Sequence, residues 1–270
     1  MKRKMIFSCA VMAIVVLLCA DKAHSVLKDV VFYDDAVVGS SEQYRYVTVY
    51  DSPPETTTIE FYGGGNGLFM NDSSTLNIYQ GGWFSWDGQE LYAQFKFYDT
   101  STVNVHIGGG FYGGTAAFLY LYDSGTVNVK GGQVDSLLQL DDISTLNLYE
   151  GQLSLGFNLL DFSKLNVYGG SIGTFLGNNT VSTTAIVNFY GYGFEYNPEG
   201  RWCCLGDVCW WESKLTGYTF DGKPFTYWGI PDPSTHPNIN LIPEPATVVV
   251  LGLGAIAILR KQRRRKEYGK

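Results

Sequence analysis

The feature that most constrains the fold is a short sequence that recurs through the middle of the chain. Its consensus is Asp-x-Ser-Thr-(Val/Leu)-Asn-(Val/Ile/Leu)-Tyr-x-Gly-Gly. Copies occupy residues 72–82, 99–109, 123–132, 142–151 and 161–170, with weaker copies at 58–64 and 184–191. Since the Asn positions of successive copies are 19 to 27 residues apart, each copy is expected to form one small unit that stacks on the next.

Within each copy, aliphatic and polar residues alternate strictly, as Leu76 and Ile78 do with Thr75, Asn77 and Tyr79. This period of two is typical of a β-strand with one buried face. The Gly-Gly pair that follows permits a turn with positive φ. A further strand is predicted before the Asp of several copies, at 90–98, 117–122 and 137–140.

Two or three short strands per repeat favour the coil of a parallel β-helix. A propeller blade needs about 40 residues or more, which exceeds every spacing in this chain. No segment of the body has helical periodicity of convincing length. We therefore predict an all-β fold, a right-handed parallel β-helix (β-solenoid) over residues 56–195, preceded by a lead-in region at 26–55. The handedness follows the general rule for parallel crossovers.

Equivalent residues of successive coils are expected to stack about 4.8 Å apart, in columns along the axis. The interior columns are Leu76, Val103, Val127, Leu146 and Leu165, and beside them Ile78, Val105, Val129, Leu148 and Val167. Outside, an amide ladder is predicted at Asn77, Asn104, Asn128, Asn147 and Asn166. A hydroxyl column is predicted at Thr75, Thr102, Thr126 and Thr145, and Lys164 interrupts it. An aromatic column is predicted at Tyr79, Tyr149 and Tyr168, in which His106 and Lys130 replace the Tyr of their copies.

The N-terminus has the three parts of a secretory signal peptide. Basic residues at 2–4 precede an apolar stretch at 5–20, and Ala23-His24-Ser25 offers small residues at a cleavage site. We predict that signal peptidase removes residues 1–25. Cys19 is an alternative lipidation site, but Leu18 stands where a small residue would be expected.

The C-terminus combines a proline-rich motif, an apolar run and a basic end. Pro243, Glu244 and Pro245 are followed by an uncharged stretch, 246–259, which is predicted to form a short transmembrane helix. Fourteen helical residues span about 21 Å, less than the ~30 Å hydrocarbon core, so a transient anchor is favoured over a permanent one. A basic cluster is expected to stop translocation and to stay in the cytoplasm. It consists of Arg260, Lys261, Arg263, Arg264, Arg265 and Lys266.

This tail, residues 243–270, resembles the PEP-CTERM sorting signal, which has a Pro-Glu-Pro motif, a short transmembrane helix and an Arg-rich end. The resemblance implies export, recognition by an exosortase (a membrane cysteine protease/transpeptidase) and processing near the motif, in a Gram-negative host that makes exopolysaccharide. The same tail is also called an ice-binding protein C-terminal domain. The resemblance covers about 10% of the chain and concerns its delivery, membrane-anchored at first and then at the cell surface or outside the cell.

The two targeting ends hold most of the positive charge. Residues 26–242 carry eight Lys or Arg and 23 Asp or Glu, which gives this body a net charge of −15, against −7 for the whole chain. Such a surface repels nucleic acid and anionic lipid. It suits contact with neutral glycans or cations, and nucleic acid is not expected as a partner.

One Asp stands at the same place in each of five copies: Asp72, Asp99, Asp123, Asp142 and Asp161. This column could bind calcium or supply carboxylates for polysaccharide cleavage. Alternatively, Asp-x-Ser-Thr is a turn whose side chains bond nearby backbone N–H groups. Because every one of these coils carries the residue, we favour the turn, and we predict no resident metal site and no cofactor other than calcium as an option.

The Thr and Asn columns and an aromatic loop also have two interpretations each. A flat Thr and Asn array could order water, as in ice-binding solenoids, or could simply stabilise the stack by hydrogen bonding. The uneven spacing of the copies favours the second interpretation. Trp83, Phe84 and Trp86 in one loop could be platforms for sugar rings, or could cover a β surface.

The segment 201–211, with the sequence RWCCLGDVCWW, is the least regular part of the body. Outside the cell, Cys203, Cys204 and Cys209 suggest a disulfide, with the third thiol left free or joined to a second chain. Zinc would need a fourth ligand at close spacing, and no His is near in sequence. We interpret residues 196–228 as a Cys- and Trp-rich cap over the open end of the β-helix, and 229–242 as a Pro-rich linker.

Classical nucleophilic catalysis finds little support in the sequence, which has no phosphate loop and no His-rich metal motif. We therefore predict a non-enzymatic cell-surface or matrix protein with a structural or adhesive role, associated with exopolysaccharide or another glycan. The alternative is a carbohydrate-active β-helix enzyme, a polysaccharide lyase or glycosidase. Such an enzyme would show two or three converging carboxylates with a Lys or Arg beside exposed aromatics. An ice-binding protein is the third hypothesis.

Overall fold

A computed structural model describes residues 27–51, 55–85, 93–112, 117–173, 180–205 and 208–243. Within these ranges the chain is all-β and forms 23 strands. The first eight are β1 Lys28–Phe32, β2 Ala36–Val38, β3 Gln43–Val49, β4 Thr58–Phe61, β5 Gly64–Met70, β6 Thr75–Ile78, β7 Trp83–Ser85 and β8 Ala93–Phe97. The next eight are β9 Thr102–His106, β10 Gly110–Tyr112, β11 Ala117–Leu121, β12 Thr126–Asp135, β13 Leu137–Leu140, β14 Thr145–Leu153, β15 Phe157–Leu159 and β16 Lys164–Val167. The last seven are β17 Ser171–Ile172, β18 Thr180–Val181, β19 Ile186–Tyr190, β20 Tyr192–Leu205, β21 Val208–Tyr218, β22 Pro224–Trp228 and β23 Ile239–Ile242.

Parallel pairing arranges the strands in three ladders. Each complete coil contributes one segment to every ladder. The first ladder runs through β2, β4, β6, β9, β12, β14, β16, β19 and β23. The second runs through β3, β5, β7, β10, β12, β14, β17 and β22. The third runs through β1, β3, β5, β8, β11, β13, β15 and β18. This stacking of equivalent strands is the arrangement of a β-solenoid, as the repeat predicts; its right-handed winding stays a prediction.

The core is the space that the three ladders enclose. The interior columns predicted from the alternation are buried, each member being at most 1% exposed. The second ladder adds an aromatic layer, in which Phe84 stacks on Phe61 with ring centroids 4.6 Å apart and on Phe111 at 5.8 Å. The third ladder adds Phe95 and Phe97, both fully buried. The buried apolar side chains of successive coils form one continuous cluster through the stack.

The solenoid is longer than the repeat consensus predicted. The region 26–55, expected as a lead-in, already contains solenoid strands, because β1 pairs in parallel with β3 and β2 pairs with β4. The segment 229–242, expected as a linker, ends in β23, which pairs in parallel with β19 over four residues. Neither segment carries the consensus, but parallel pairing uses the backbone and needs only inward apolar residues, so a coil can form without it.

An antiparallel meander of β20, β21 and β22 closes the C-terminal end of the stack. Its buried side chains Leu215, Phe225 and Tyr227 continue the core, and Tyr227 stacks on Phe189 of the last coils at 5.3 Å between ring centroids. This meander runs from Tyr192 to Trp228 and so includes the region 196–228, where a cap was predicted. A terminal coil otherwise exposes its apolar interior, so covering it in this way removes the cost of that exposure.

No helix within the described ranges is long and apolar enough to cross a membrane. The predicted signal peptide, the predicted transmembrane segment 246–259 and the basic cluster lie outside the described residues.

Candidate functional site

The outward face of the first ladder carries a continuous chain of amide hydrogen bonds. Each Asn in it donates from Nδ2 to the Oδ1 of the Asn in the preceding coil, at distances of 2.8 to 3.0 Å. The chain contains the five asparagines expected from the consensus and two more, Asn188 and Asn240. Glu60 occupies the equivalent place one coil before Asn77. The amides are half-buried or exposed and bond to one another, so this column joins the coils along the axis.

Columns of Thr and aromatic side chains flank the amide chain. The Thr positions pair in register from Thr58 to Thr145, and Lys164 follows, as the sequence indicates. In the aromatic column, Tyr79 stacks between Tyr62 and His106, with ring centroids at 5.0 and 4.6 Å. Burial, with the nearby Lys130 charge, lowers the pKa of His106, which keeps this ring neutral in the stack.

The second aromatic stack is the one that borders the candidate site. Tyr149 stacks on Tyr168 at 4.9 Å and Tyr168 stacks on Tyr190 at 4.4 Å. Burial, followed by the effect of Tyr190, raises the pKa of Tyr168 to about 12, so its phenol stays protonated near neutral pH.

The Asp column forms a corner between the third and first ladders. All five Asp residues have φ between +47° and +55°, the left-handed region that Asp and Asn tolerate best among non-glycine residues. The carboxylates of Asp99, Asp123 and Asp142 each accept the backbone N–H of the Asp one coil earlier, at 3.1 to 3.2 Å. The column therefore has a structural explanation: the left-handed backbone sets the corner in all five coils, and in three of them the carboxylate also joins the corner to the preceding coil. Calcium binding there stays a prediction.

A groove lies where the first-ladder strands end, on the side opposite the Asp corner and near the C-terminal end of the stack. We call it the aromatic groove; it has a cavity volume of about 490 Å³ and is lined chiefly by Tyr149, Glu150, Tyr168, Phe220, Asp221 and Lys223. The turn 219–223 between β21 and β22 brings the last three of these residues against the solenoid. Tyr149 is 41% exposed and Phe220 is 43% exposed, so both rings are accessible.

Charged groups fix the turn to the solenoid. The ammonium of Lys223 lies 3.0 Å from the carboxylate of Glu150 and 3.0 Å from that of Asp221. The Thr219 hydroxyl donates to Asp221, and Lys223 hydrogen-bonds through both its backbone N–H and its C=O to Thr219. Hydrogen bonds donated by Thr219 and Lys223 lower the pKa of Asp221 to about 2. The hydrogen bonds that the Lys223 ammonium donates to Asp221 and Glu150 raise the pKa of Lys223. Asp221 and Lys223 are therefore both charged near neutral pH.

Of the two interpretations of the loop with Trp83, Phe84 and Trp86, a shared platform for sugar rings does not fit the structure. Phe84 is fully buried in the aromatic layer of the core, which corrects that interpretation. Trp83 is half-buried and points to the opposite side of β7, because side chains of a strand alternate. Trp86 lies outside the described residues.

The three cysteines lie near the end of the hairpin β20–β21. Its backbone register places Cys204 opposite Cys209 and Cys203 opposite Trp210, while their side chains lie outside the description. In the part of the chain that the structure describes, no three His, Cys, Asp or Glu side chains come together as metal ligands.

Sequence reasoning missed the charged part of the aromatic groove. Glu150 stands at the variable position of its repeat, and Lys223 lies 73 residues further on, in a segment without the consensus. One signal was available in the sequence: among the five full copies, Glu150 is the acidic residue at the position directly before the glycines. The other copies have Gln80, Ile107, Lys130 and Gly169 there.

Comparison with known families identifies the tail. Residues 241–265 match the family of the PEP-CTERM protein-sorting motif. The match includes Pro243, Glu244 and Pro245 and most of the basic cluster, so the sequence prediction of a PEP-CTERM signal is confirmed. Of the sorting motif, Pro243 is exposed directly after β23, and Glu244 and Pro245 lie outside the described residues. No match to the chain was found among curated proteins or among solved structures.

Proposed function

We propose that this PEP-CTERM protein is an exosortase-processed structural or adhesive component of the cell surface or extracellular matrix, associated with exopolysaccharide. The sorting motif at 241–265 carries the first part of this proposal, because it indicates an exported protein that an exosortase processes. The motif also implies a transient membrane anchor before surface display. The structural or adhesive role is the finer step, and the repetitive body supports it.

The junction between body and motif supports an ordered arrangement at the membrane. Strand β23 ends at Ile242, whose C=O accepts the N–H of Gly191 at 3.1 Å, and the family match begins inside this strand at Leu241. The last paired strand therefore ends directly before Pro243. We therefore expect the C-terminal coil to lie nearer to the membrane than the N-terminal coils while the tail is anchored.

The repeated polar columns support a structural role over a catalytic one. The Asn chain bonds to itself, and the Asp corner combines a left-handed backbone with hydrogen bonds between coils. A catalytic site is expected to break the regularity of one coil, whereas these columns repeat it. A stiff, acidic stack held outside the cell suits a spacer or an adhesive surface among neutral polymers.

A carbohydrate-active enzyme is the second candidate, and the aromatic groove is the observation that favours it. Glu150 and Asp221 both contact Lys223 beside exposed aromatic rings, which is the combination expected of such an enzyme. It ranks second because the polar columns favour a structural role, and because the pKa of Asp221, about 2, does not suit that residue as the protonated carboxyl group of a glycosidase. Release of reducing ends, or of unsaturated uronates, from polysaccharides by the wild type but not by Glu150→Gln would reverse this ranking.

Replacing Pro243, Glu244 and Pro245 with alanine tests the proposal. We expect the wild-type protein to appear in the surface fraction without its basic tail, and the triple variant to keep the tail and stay in the inner membrane. Mass spectrometry of the C-terminal peptide and fractionation with immunoblotting measure both effects. A matched control replaces Pro231 and Pro233 with alanine, which changes the same residue type outside the motif. Equal processing of the motif variant and the control contradicts the proposal.

A further inference from the structure

We propose that the aromatic groove is a binding site for an uncharged saccharide chain. The inference rests on the proposed surface role and deepens it, because it gives that role a ligand class and a place on the molecule. The groove lies where the C-terminal meander meets the first ladder, so it is the point at which the regular stack becomes irregular.

The groove is preformed by contacts on both of its sides. On the solenoid side, Tyr149 is held by stacking on Tyr168, which in turn stacks on Tyr190. On the other side, the turn is closed by the Gly222 N–H to the Thr219 C=O at 2.9 Å and by the Thr219 N–H to the Lys223 C=O at 2.9 Å. The Lys223–Glu150 ion pair joins the two sides. A rigid site loses little conformational entropy when a ligand binds.

The lining combines the two kinds of surface that a sugar ring offers to a protein. The faces and edges of Tyr149 and Phe220 are apolar area for the C–H face of a pyranose, and the negative ring face attracts those C–H hydrogens. The carboxylate oxygens of Glu150 and Asp221 can accept hydrogen bonds from sugar hydroxyl groups, and the Lys223 ammonium can donate hydrogen bonds to the oxygen atoms of the same hydroxyl groups. In ligand pockets, a small number of polar groups beside an apolar surface fixes the orientation of the ligand.

The charges of the groove favour a neutral ligand over an acidic one. Lys223 is already paired with two carboxylates, so a uronate or sulfate group would meet a local excess of negative charge. The exported body adds to this effect with its net charge of −15. An anionic polymer is therefore repelled both at the groove and at long range.

A second groove extends the site along the stack and favours a chain over a single sugar. It has a volume of about 310 Å³ and follows the glycine turns, with Gln133, Gln152 and Ser171 in register along one side. The glycines are required by packing, since a Cβ at Gly132 or Gly151 would meet backbone oxygen atoms of the preceding coil. They leave a strip without side chains over three coil steps, about 14 Å. Gly151 of this strip is the direct neighbour in the chain of Glu150, which lines the aromatic groove.

Binding of defined oligosaccharides to the full-length chain tests the inference, in a detergent without a sugar headgroup. The probes are cellopentaose, xylopentaose and mannopentaose as neutral chains, pentagalacturonate as an anionic chain and a glucosamine pentamer as a cationic one. We expect saturation-transfer NMR and calorimetry to detect binding of at least one neutral probe. Tyr149→Ala and Phe220→Ala should each weaken it about tenfold, the effect of removing an aromatic anchor.

Tyr79→Ala is the matched control, because Tyr79 lies in the same aromatic column between two stacked rings but outside the groove. It should leave the affinity unchanged. If Tyr149→Ala loosens the fold, Phe220→Ala on the exposed turn still answers the question. The inference is overturned if no neutral probe binds, if only a charged probe binds, or if Tyr79→Ala weakens binding as much as Tyr149→Ala. Failure of the sorting experiment with binding intact would instead count against the proposed function alone.

Discussion

The amide chain of the first ladder makes a quantitative prediction at Asn147, which lies near its centre. Asn147 donates to the Oδ1 of Asn128 at 2.9 Å and accepts from the Nδ2 of Asn166 at 2.9 Å. Asn147→Asp keeps the shape of the side chain and the acceptor but removes the donor. The new carboxylate oxygen would then face the Asn128 carbonyl oxygen, so two acceptors would meet at hydrogen-bond distance.

The cost follows from the bonds lost. One net hydrogen bond contributes about 1 kcal/mol, and a half-buried acceptor left without its donor costs about 1 kcal/mol more, so the free energy of unfolding should fall by about 2 kcal/mol. For a body of this size that corresponds to a decrease in Tm of about 4–8 °C. Thermal unfolding and denaturant titration of the purified protein, followed by circular dichroism, measure both quantities.

Asn158→Asp separates this effect from that of an added negative charge. Asn158 is an outward-facing, half-buried residue of the third ladder and lies outside the amide chain, so the chemical change is the same. It should change the free energy of unfolding by less than about 0.5 kcal/mol. If Asn147→Asp and Asn158→Asp melt at the same temperature, the amide chain does not stabilise the stack and the structural interpretation of this column is refuted.

Three further predictions concern the corner, the core and the turn. Asp142→Ala should be less stable than Asp142→Gly by about 1 kcal/mol, because φ of Asp142 is +54°. Ile143 has no positive φ, so Ile143→Gly should be less stable than Ile143→Ala, which is the usual order. Denaturant titration of these four variants measures both differences. Phe84→Ala should lower the free energy of unfolding by about 3–5 kcal/mol in the same assay, because Phe84 is fully buried. Phe162 is 65% exposed, so Phe162→Ala should lower it by less than about 0.5 kcal/mol. Equal decreases in the two variants would contradict the aromatic layer. The pKa of Asp221 is about 2 in the folded protein and about 3.9 when unfolded, so its contribution to stability should be present above about pH 4 and lost as the pH falls towards 2. Unfolding free energies of wild type and Asp221→Asn between pH 2 and 6 should therefore converge at the acid end, and a constant difference would contradict the paired carboxylate.

Aromatic residues show where sequence patterns were sufficient and where they were not. Tyr79 and Tyr168 lie in the predicted column because each occurs at a fixed offset from the Asn of a full copy, and strand alternation then fixes its face. Phe84 belongs to a three-residue strand, which is too short for alternation to show which side is inward. Its burial was decided by Phe61 and Phe111, which lie on neighbouring coils.

The sequence by itself determined the sorting tail, the stacking of coils and the columns on their faces. These features are local: a motif, a period of two and a constant offset within each copy. Only the tertiary structure decided that the chain from Lys28 to Ile242 joins one stack, because backbone pairing recruits β1, β2 and β23 without any consensus. It alone also placed Lys223 against Glu150, since a contact between residues 73 positions apart depends on how the meander folds back over the last coils.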